Sequence, residues 1–466
     1  MKRSLTFILC LTCFHLIATA CFLQAGVGMN SGSCTGSSSS SGGATTSYTA
    51  AGSSGATTSY TEKSKDYVEK SKYSESVSSS VSSSYQSSAA LDSSYKSNEA
   101  LPSSSTSSLS SSYDYEKAVQ TNPNDAQAWY NLGIYYGQQK LTTKEIVAYE
   151  HAVQIQSNYA KAWHNLAIAY AEQGRTLDAI AAYQHWLDAN PDDAQGWYNL
   201  GVFYGREKLK EKEIASYERA VRIKPDYAKA WYNLGLTYEE VGKPTDAIFA
   251  YRQAIKAAPN DILAWQSLAM VCAKQRDNVG ALSAYEQVLK LNPMDAKAWY
   301  NMGVVYERQG DAAKAAAAYD RVTLINPNAA EAWNNLGNVY FDLKKTTEAE
   351  RAYREAVRLQ STNSDAWSNL GLIYDQQNKT PEAVDAYERV TRVDPTSAQA
   401  WYNLGALYGK QNKLEPAVAA YQRAVAINPS YAKAWYNLGV TYDAQGRKND
   451  AADAYRKATA LGQTGI

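Results

Sequence analysis

Tryptophan recurs every 34 residues in the second part of the chain, and this spacing limits the available folds more than any other feature. Leu or Met follows each of these tryptophans after three residues, Gly or Ala after four and, except at Cys272, Tyr after seven. Positions 0, 3, 4 and 7 lie on one face of an α-helix. The pattern therefore predicts ten copies of an amphipathic helix, which we call helix A. The ten positions are Trp129, Trp163, Trp197, Trp231, Trp265, Trp299, Trp333, Trp367, Trp401 and Trp435.

A second helical face, helix B, follows each helix A within the same period. Ala stands sixteen residues after the Trp, except at Glu145 and Glu213, and Tyr stands twenty residues after it in all ten copies. Gly, Asn, Lys or Arg between the two faces is a suitable helix stop. Pro ends helix B in seven copies, and the polar residue after that position is expected to cap the next helix A. Examples of these expected caps are Asn124, Asp192, Asp226 and Asn260.

The motif Trp-x-x-Leu-Gly-x-x-Tyr, followed by Ala, Tyr, Ala and Pro, resembles the tetratricopeptide repeat (TPR) over residues 126–466. The resemblance implies an all-α fold, an α-α superhelix or TPR solenoid of ten 34-residue helical hairpins, with a concave groove lined by A helices. Residues 112–125 match a lone helix B and are expected to form an N-terminal capping helix. Residues 458–466 show no extra capping helix, so the last hairpin is expected to fray or to meet a partner.

The N-terminal residues have the features of a secretory signal. Lys2 and Arg3 precede an apolar run, and Ala18-Thr19-Ala20 follows it, which predicts a signal peptide over residues 1–20. Cys21 resembles the lipidated cysteine of bacterial lipoproteins, although Ala18 stands where that family prefers Leu and Ala-x-Ala also suits ordinary signal peptidase. The expected location is therefore outside the cytoplasm, either as a lipoprotein anchored in the cell envelope or as a secreted protein.

Residues 21–111 are rich in Ser and poor in large apolar side chains. Such a segment buries too little apolar area to offset its chain entropy, so it is predicted to be disordered. It would connect an anchor or secretion site to the folded repeats, or serve only as a low-complexity spacer.

The charge balance and the cysteine count exclude several classes of function. Lys and Arg together equal Asp and Glu at 46 each, so nucleic acid is not an expected partner. After removal of the signal peptide only Cys21, Cys34 and Cys272 remain, which excludes a disulfide framework. The four histidines have no metal-ligand spacing, and no nucleophile or phosphate-binding motif is present. We therefore expect no enzyme activity, no cofactor and no metal.

The resemblance implies that residues one, two and five places after the Trp, and two before it, face the groove. An Asn amide can donate to and accept from the backbone of an extended peptide, as in the asparagine ladder of O-linked N-acetylglucosamine transferases. The alternative is that this Asn bonds a neighbouring helix. Asn occurs two places after the Trp at Asn131, Asn165, Asn199, Asn233, Asn301, Asn335, Asn369, Asn403 and Asn437.

Aromatic residues one place after the Trp would supply amphipathic groove surface, or would pack on the adjacent helix A. They are Tyr130, Tyr198, Tyr232, Tyr300, Tyr402, Tyr436 and His164. Residues 262–295 and 330–397 depart from this pattern, with Gln266 and Ser267 in the first range and Asn334 and Ser368 in the second. A locally different groove is expected there.

The residues two places before the Trp suggest a groove that is basic early and acidic later. Lys161, Lys229 and Lys297 precede Glu331 and Asp365 along the chain. The carboxylate clamp of chaperone adaptors is absent, because no repeat has its first Lys or its last Arg.

These features together predict an exported scaffold that binds other proteins or extended peptide segments, of the kind that assists envelope, pilus or secretion assembly. Contact with a membrane is expected only through a lipid at Cys21. The alternative is a structural protein that self-associates by stacking its repeats end to end.

Overall fold

The computed structural model describes residues 112–463, and every regular element within that range is an α-helix. The predicted signal peptide and tether, and with them Cys21, lie outside the described residues. A first helix, α1, spans Ser112–Thr121 and packs on the helix that follows it, with Tyr115 and Val119 buried. The ten hairpins come after it, so the prediction of an all-α TPR solenoid is confirmed.

The A helices have even numbers. They are α2 (Ala126–Gln138), α4 (Ala160–Glu172), α6 (Ala194–Arg206), α8 (Ala228–Glu240), α10 (Ile262–Lys274), α12 (Ala296–Gln309), α14 (Ala330–Asp342), α16 (Ser364–Gln376), α18 (Ala398–Lys410) and α20 (Ala432–Ala444). Each of them packs against the B helix of its own hairpin and against the helix that precedes it.

The B helices have odd numbers. They are α3 (Thr142–Ile155), α5 (Thr176–Ala189), α7 (Lys210–Ile223), α9 (Pro244–Ala257), α11 (Asn278–Leu291), α13 (Ala312–Ile325), α15 (Thr346–Leu359), α17 (Thr380–Val393), α19 (Leu414–Ile427) and α21 (Lys448–Ala460). None of the described helices is both long enough and apolar enough to cross a bilayer.

Helices A and B of one hairpin approach closely where a glycine faces a tyrosine. A Cβ atom added to Gly201 would lie 2.6 Å from the ring of Tyr217, which is itself buried. A carbon atom cannot approach a ring that closely, so a side chain here would push the helices apart. The glycine four places after the Trp therefore sets the distance between the two helices.

The indole of each repeating Trp holds the turn that leads into its own helix A. Trp197 Nε1 donates a hydrogen bond to the carbonyl oxygen of Pro191 at 2.9 Å, and Trp163 Nε1 donates to that of Ser157 at 2.7 Å. All ten indoles make the equivalent bond to the residue six places earlier. The Trp rings are only partly buried. Besides packing in the repeats, they hold the turn between one hairpin and the next.

The caps expected at Asn124, Asp192, Asp226 and Asn260 are wrong by one residue. The side chains that accept hydrogen bonds from the first turn of helix A belong to the next position, at Asp125, Asp193 and Asp261, whereas Tyr227 precedes α8 without a side-chain cap. The turn after Pro takes one more residue than the pattern suggested, because the carbonyl at the Pro position must reach the indole.

The turn from helix A to helix B needs a left-handed residue, which the chain supplies in two ways. Gly242 has φ 73° at this place, and Lys208 has φ 58° at the equivalent place of the preceding hairpin. A side chain in this region crowds the following carbonyl, which glycine avoids.

We expect Lys208→Gly to stabilise the protein by about 0.5–1 kcal/mol, because it removes this crowding. Urea unfolding followed by circular dichroism measures the change. Ala215→Gly, at an exposed position inside α7, is the matched control and should destabilise by about 1 kcal/mol. A loss of stability in Lys208→Gly would contradict the argument.

Candidate functional site

The A-helix face is the surface formed by residues two before and one, two, five, eight and nine after each repeating Trp. The aromatic side chains one place after the Trp are less available there than the sequence suggested. Tyr130, Tyr198 and Tyr232 are at most 4% exposed, whereas Tyr300, Tyr402 and Tyr436 are half-buried. The hydroxyls of Tyr130 and Tyr198 nevertheless accept hydrogen bonds from asparagines within the protein.

Packing against two further tyrosines explains the burial of this row. The ring of Tyr198 lies 5.8 Å from that of Tyr217 and 5.2 Å from that of Tyr227, in tilted contacts. Such pairs stabilise beyond the burial of their area. His164 takes the same place in the second hairpin, 4.2 Å from Trp186, and burial lowers its pKa. The side chain is therefore a neutral member of the core.

The asparagines two places after the Trp connect neighbouring A helices. The amide nitrogen of Asn233 donates to the hydroxyl of Tyr198, in the preceding hairpin, at 3.2 Å. The same bond joins Asn165 to Tyr130, Asn335 to Tyr300 and Asn437 to Tyr402. At least one N–H donor of the amide is thus already used by the protein in these hairpins.

The other members of the asparagine row have different surroundings. Asn199 donates to Tyr183, Asn369 donates to Asn338, and Asn131 and Asn403 accept from glutamines one turn earlier on their own helices. Asn301 is half-buried. The structure brings the predicted site residues together in one row, and their use in peptide binding stays a prediction.

A row of charges on the A-helix face was missed by the sequence analysis. At two of the nine junctions between hairpins, a Lys nine places after one Trp reaches back to a carboxylate eight places after the preceding Trp. Lys274 Nζ lies 3.1 Å from a carboxylate oxygen of Glu239, and Lys410 Nζ lies 2.6 Å from Asp375. Arg308 donates to the carbonyl oxygen of Ala273 at 2.9 Å in the same register. The sequence has an acid and a base in this register only at these two junctions, and the repeat pattern does not require them.

Glu307 lies at one of these positions, eight places after Trp299, and its pKa is raised. Burial raises the pKa of Glu307 to about 7, and the negative charge of Asp342 adds to the rise. The Tyr319 hydroxyl donates a hydrogen bond to the carboxylate, which acts in the opposite direction and lowers the pKa. At neutral pH a substantial fraction of this carboxyl is protonated.

This rise makes the stability depend on pH in a definite direction. The folded state binds a proton more tightly than the unfolded state, so stability falls as pH increases from about 4.5 to 7 and is not regained above that. Glu307→Gln removes the buried charge and keeps an acceptor for Tyr319. The variant should be more stable than the unaltered protein by up to about 3 kcal/mol at pH 8, with no gain at pH 4.

Thermal unfolding of both proteins at pH 4, 6 and 8 checks this prediction. Glu239→Gln is the control, because the Lys274 ammonium already compensates that carboxylate and its removal should not stabilise at any pH. An equal effect of Glu307→Gln at all three pH values would show that the carboxyl is not desolvated.

The described residues contain no group of His, Cys, Asp and Glu side chains arranged to hold a metal ion. Cys272 is buried with a free thiol, and burial raises its pKa to about 11, so it is not a reactive thiolate.

Comparison with known families gives matches over most of the repeats. Tetratricopeptide-repeat models match residues 114–146, 164–228 and 228–261, and the model of the cilia and flagella-associated protein 70 C-terminal domain matches residues 280–465. The first match begins within α1. These models describe repeats and not an enzyme. No curated protein matches the chain.

Several solved structures are similar to parts of the chain. A crystal structure of MamA is 27% identical, covers 34% of this chain and 94% of its own, and has a TM-score of 0.33. YrrB, described as a TPR protein with an unusual peptide-binding site, is 24% identical with coverages of 39% and 93% and a TM-score of 0.36. MamA from Desulfovibrio magneticus RS-1 is 23% identical, with coverages of 36% and 94% and a TM-score of 0.34.

The motif recurs in register, the helices form consecutive hairpins, and the models match residues 114–146, 164–261 and 280–465 of the array. The protein is a tetratricopeptide-repeat protein.

Proposed function

We propose that the protein is an exported scaffold that binds segments of partner proteins along its A-helix face. The supporting observation is the continuity of this face: ten A helices present side chains in the same register. The exposed surfaces of the B helices mix charges with single apolar side chains such as Leu177, Phe249 and Leu324. Tetratricopeptide-repeat folds typically serve protein–protein interaction, and a face that presents aromatic, amide and charged groups together offers both contact area and polar partners.

The asparagine row contributes to this function only where its groups can reach a ligand. Amides that link neighbouring A helices have at least one N–H donor engaged, so they offer a ligand less than an asparagine whose whole amide faces the ligand. The charge row and the exposed residues two before the Trp therefore provide most of the selectivity, and the half-buried Tyr300, Tyr402 and Tyr436 provide apolar contact.

A photo-crosslinking amino acid placed on each surface tests where partners bind. Substitution at Lys229 or Lys297, both exposed on the A-helix face, should give crosslinked adducts in the producing cells. The same substitution at Lys256 or Lys290, exposed on B helices, is the matched control and should give few. Adducts only from the B-helix positions would reject the A-helix face as the binding surface.

Self-association through stacked ends is the second candidate. Ala452 and Thr459 on α21 are exposed, whereas the equivalent Val418 and Val425 on α19 are buried against α20. This end of the described repeats is therefore uncovered. A crosslinking amino acid placed at Ala452 tests this candidate. Crosslinks between two copies of the chain from Ala452, without any adducts from Lys229 or Lys297, would favour stacking over partner binding.

Export and lipid anchoring are part of the same proposal. The basic pair Lys2 and Arg3, the apolar run and Cys21 support it. We expect the mature protein from membrane extracts to begin at Cys21 with attached acyl chains. The Cys21→Ser variant should be absent from the membrane fraction. Mass spectrometry of the mature N-terminus measures this. An unmodified N-terminus elsewhere would support free secretion, and an uncleaved chain would refute export.

A further inference from the structure

The junction between the second and third hairpins is packed differently from the other junctions. Trp186 on α5 stands where the other nine B helices have Ala or Val, and Gly196 on α6 stands where the other nine A helices have Ala. His164 on α4 stands where six other hairpins have Tyr. A Cβ atom added to Gly196 would lie 2.5 Å from the Trp186 ring. The large indole therefore fits here because the residues beside it are small.

This packing encloses an imidazole. The ring of His164 lies 4.2 Å from that of Trp186 and 6.3 Å from that of Tyr183, and the residue is only 5% exposed. Burial lowers the pKa of His164, although a hydrogen bond with Asn165 on its own helix and the negative charge of Asp193 at the start of α6 act in the opposite direction. Tyr183, which faces it from α5, stays neutral because burial raises its pKa.

The buried imidazole gives this junction a definite response to acid. An unfolded histidine, with a pKa of about 6.5, binds a proton that the buried ring of the folded state does not bind. The contribution of His164 to stability is therefore complete above about pH 6.5 and is lost progressively as the pH falls below that value. Glu307 acts in the opposite direction, so the sixth hairpin gains stability in acid.

A break at this junction would leave the N-terminal helices with too few neighbours. Helices α1–α5 comprise the capping helix and two hairpins, whereas α6–α21 comprise eight hairpins. The stability of a repeat array is approximately the sum of its repeats and of the contacts between neighbours, and about three repeats are needed for a stable unit. The shorter part is therefore expected to unfold when its contact with the third hairpin weakens, while the longer part stays folded.

We propose that the junction between the second and third hairpins is an acid-sensitive joint. Protonation of His164 requires the ring to leave its place beside Trp186 and Tyr183, and α1–α5 then separate from the rest of the array and unfold. The first two A helices are thus lost from the A-helix face in acid and return at neutral pH. This inference goes beyond the proposed function, because it concerns the protein alone and holds whatever its partner is.

The other two histidines within residues 112–463 provide a comparison. His185 is exposed and stacks on the ring of Trp163, with the ring centres 4.4 Å apart, and His151 has the equivalent place on α3. A cation above an indole is a favourable arrangement, so a protonated His185 can stay in place. The packing thus distinguishes His164 from both of them.

Hydrogen exchange of the purified full chain, followed by mass spectrometry at pH 7.5 and pH 5, tests the proposal. Exchange times are scaled for the intrinsic effect of pH on amide exchange. Protection of α1–α5 should fall by up to about thirtyfold at pH 5, the largest factor that one histidine with an unfolded pKa of about 6.5 can give.

The junction between the fourth and fifth hairpins is the internal control. It has Tyr232, Ala254 and Ala264 in the three places, with Asp261 as the cap in place of Asp193. It therefore has the same charged neighbour without the histidine or the indole. Protection of α8–α10 should not fall at pH 5.

Three variants separate the role of the histidine from the packing around it. His164→Tyr combined with Trp186→Ala and Gly196→Ala reproduces the residues of the control junction and should abolish the loss of protection at pH 5. His164→Gln should lower protection at both pH values and abolish the difference between them. His185→Gln is the matched control and should keep that difference.

Several results would overturn the inference. They are an equal loss of protection in all hairpins at pH 5, no loss in α1–α5, a loss in α1–α5 that the triple variant retains, and a loss that His185→Gln abolishes. None of them bears on the proposed function, because the crosslinking positions on the two surfaces test that separately.

Discussion

The hydrogen bond from each indole to a carbonyl across the preceding turn is the constraint on which the arrangement of hairpins depends. Trp231 and Pro225 make it at 2.9 Å, and the other nine repeating tryptophans make it with nearly the same length. It joins the end of one helix B to the start of the next helix A. Because the same contact recurs at every junction, each hairpin is placed on its predecessor in the same way, and an array of like units results.

Within this frame, glycine and tyrosine determine how closely the two helices of a hairpin lie. The close approach of Gly201 to Tyr217 brings the tyrosine hydroxyls toward the A helices. The hydroxyl of Tyr251 donates to Glu239, and that of Tyr319 donates to Glu307. The residues that pack the core thus also provide the polar environment of the charge row.

The A-helix face is therefore neither a uniform groove nor a free asparagine ladder. Bonds such as that between Asn233 and Tyr198 stabilise the contact between neighbouring hairpins and reduce what the row offers to a ligand. Under the proposed function, differences between hairpins would carry the selectivity instead. Lys274 and Lys410 form ion pairs with Glu239 and Asp375, whereas Glu307 accepts a hydrogen bond from Tyr319.

The sequence by itself determined the helices, their pairing into hairpins and the stops between helix A and helix B, because these follow from periodicity and from local backbone preferences over a few residues. From the sequence, Tyr198 and Asn233 could be placed on the same face, but the hydrogen bond between them could not be predicted. Only the tertiary structure decided that their side chains bond each other, that the cap lies at Asp193, and that Lys274 pairs with Glu239. Those contacts join residues about one repeat apart or depend on the indole bond at the turn, and their register exists only once the hairpins are stacked.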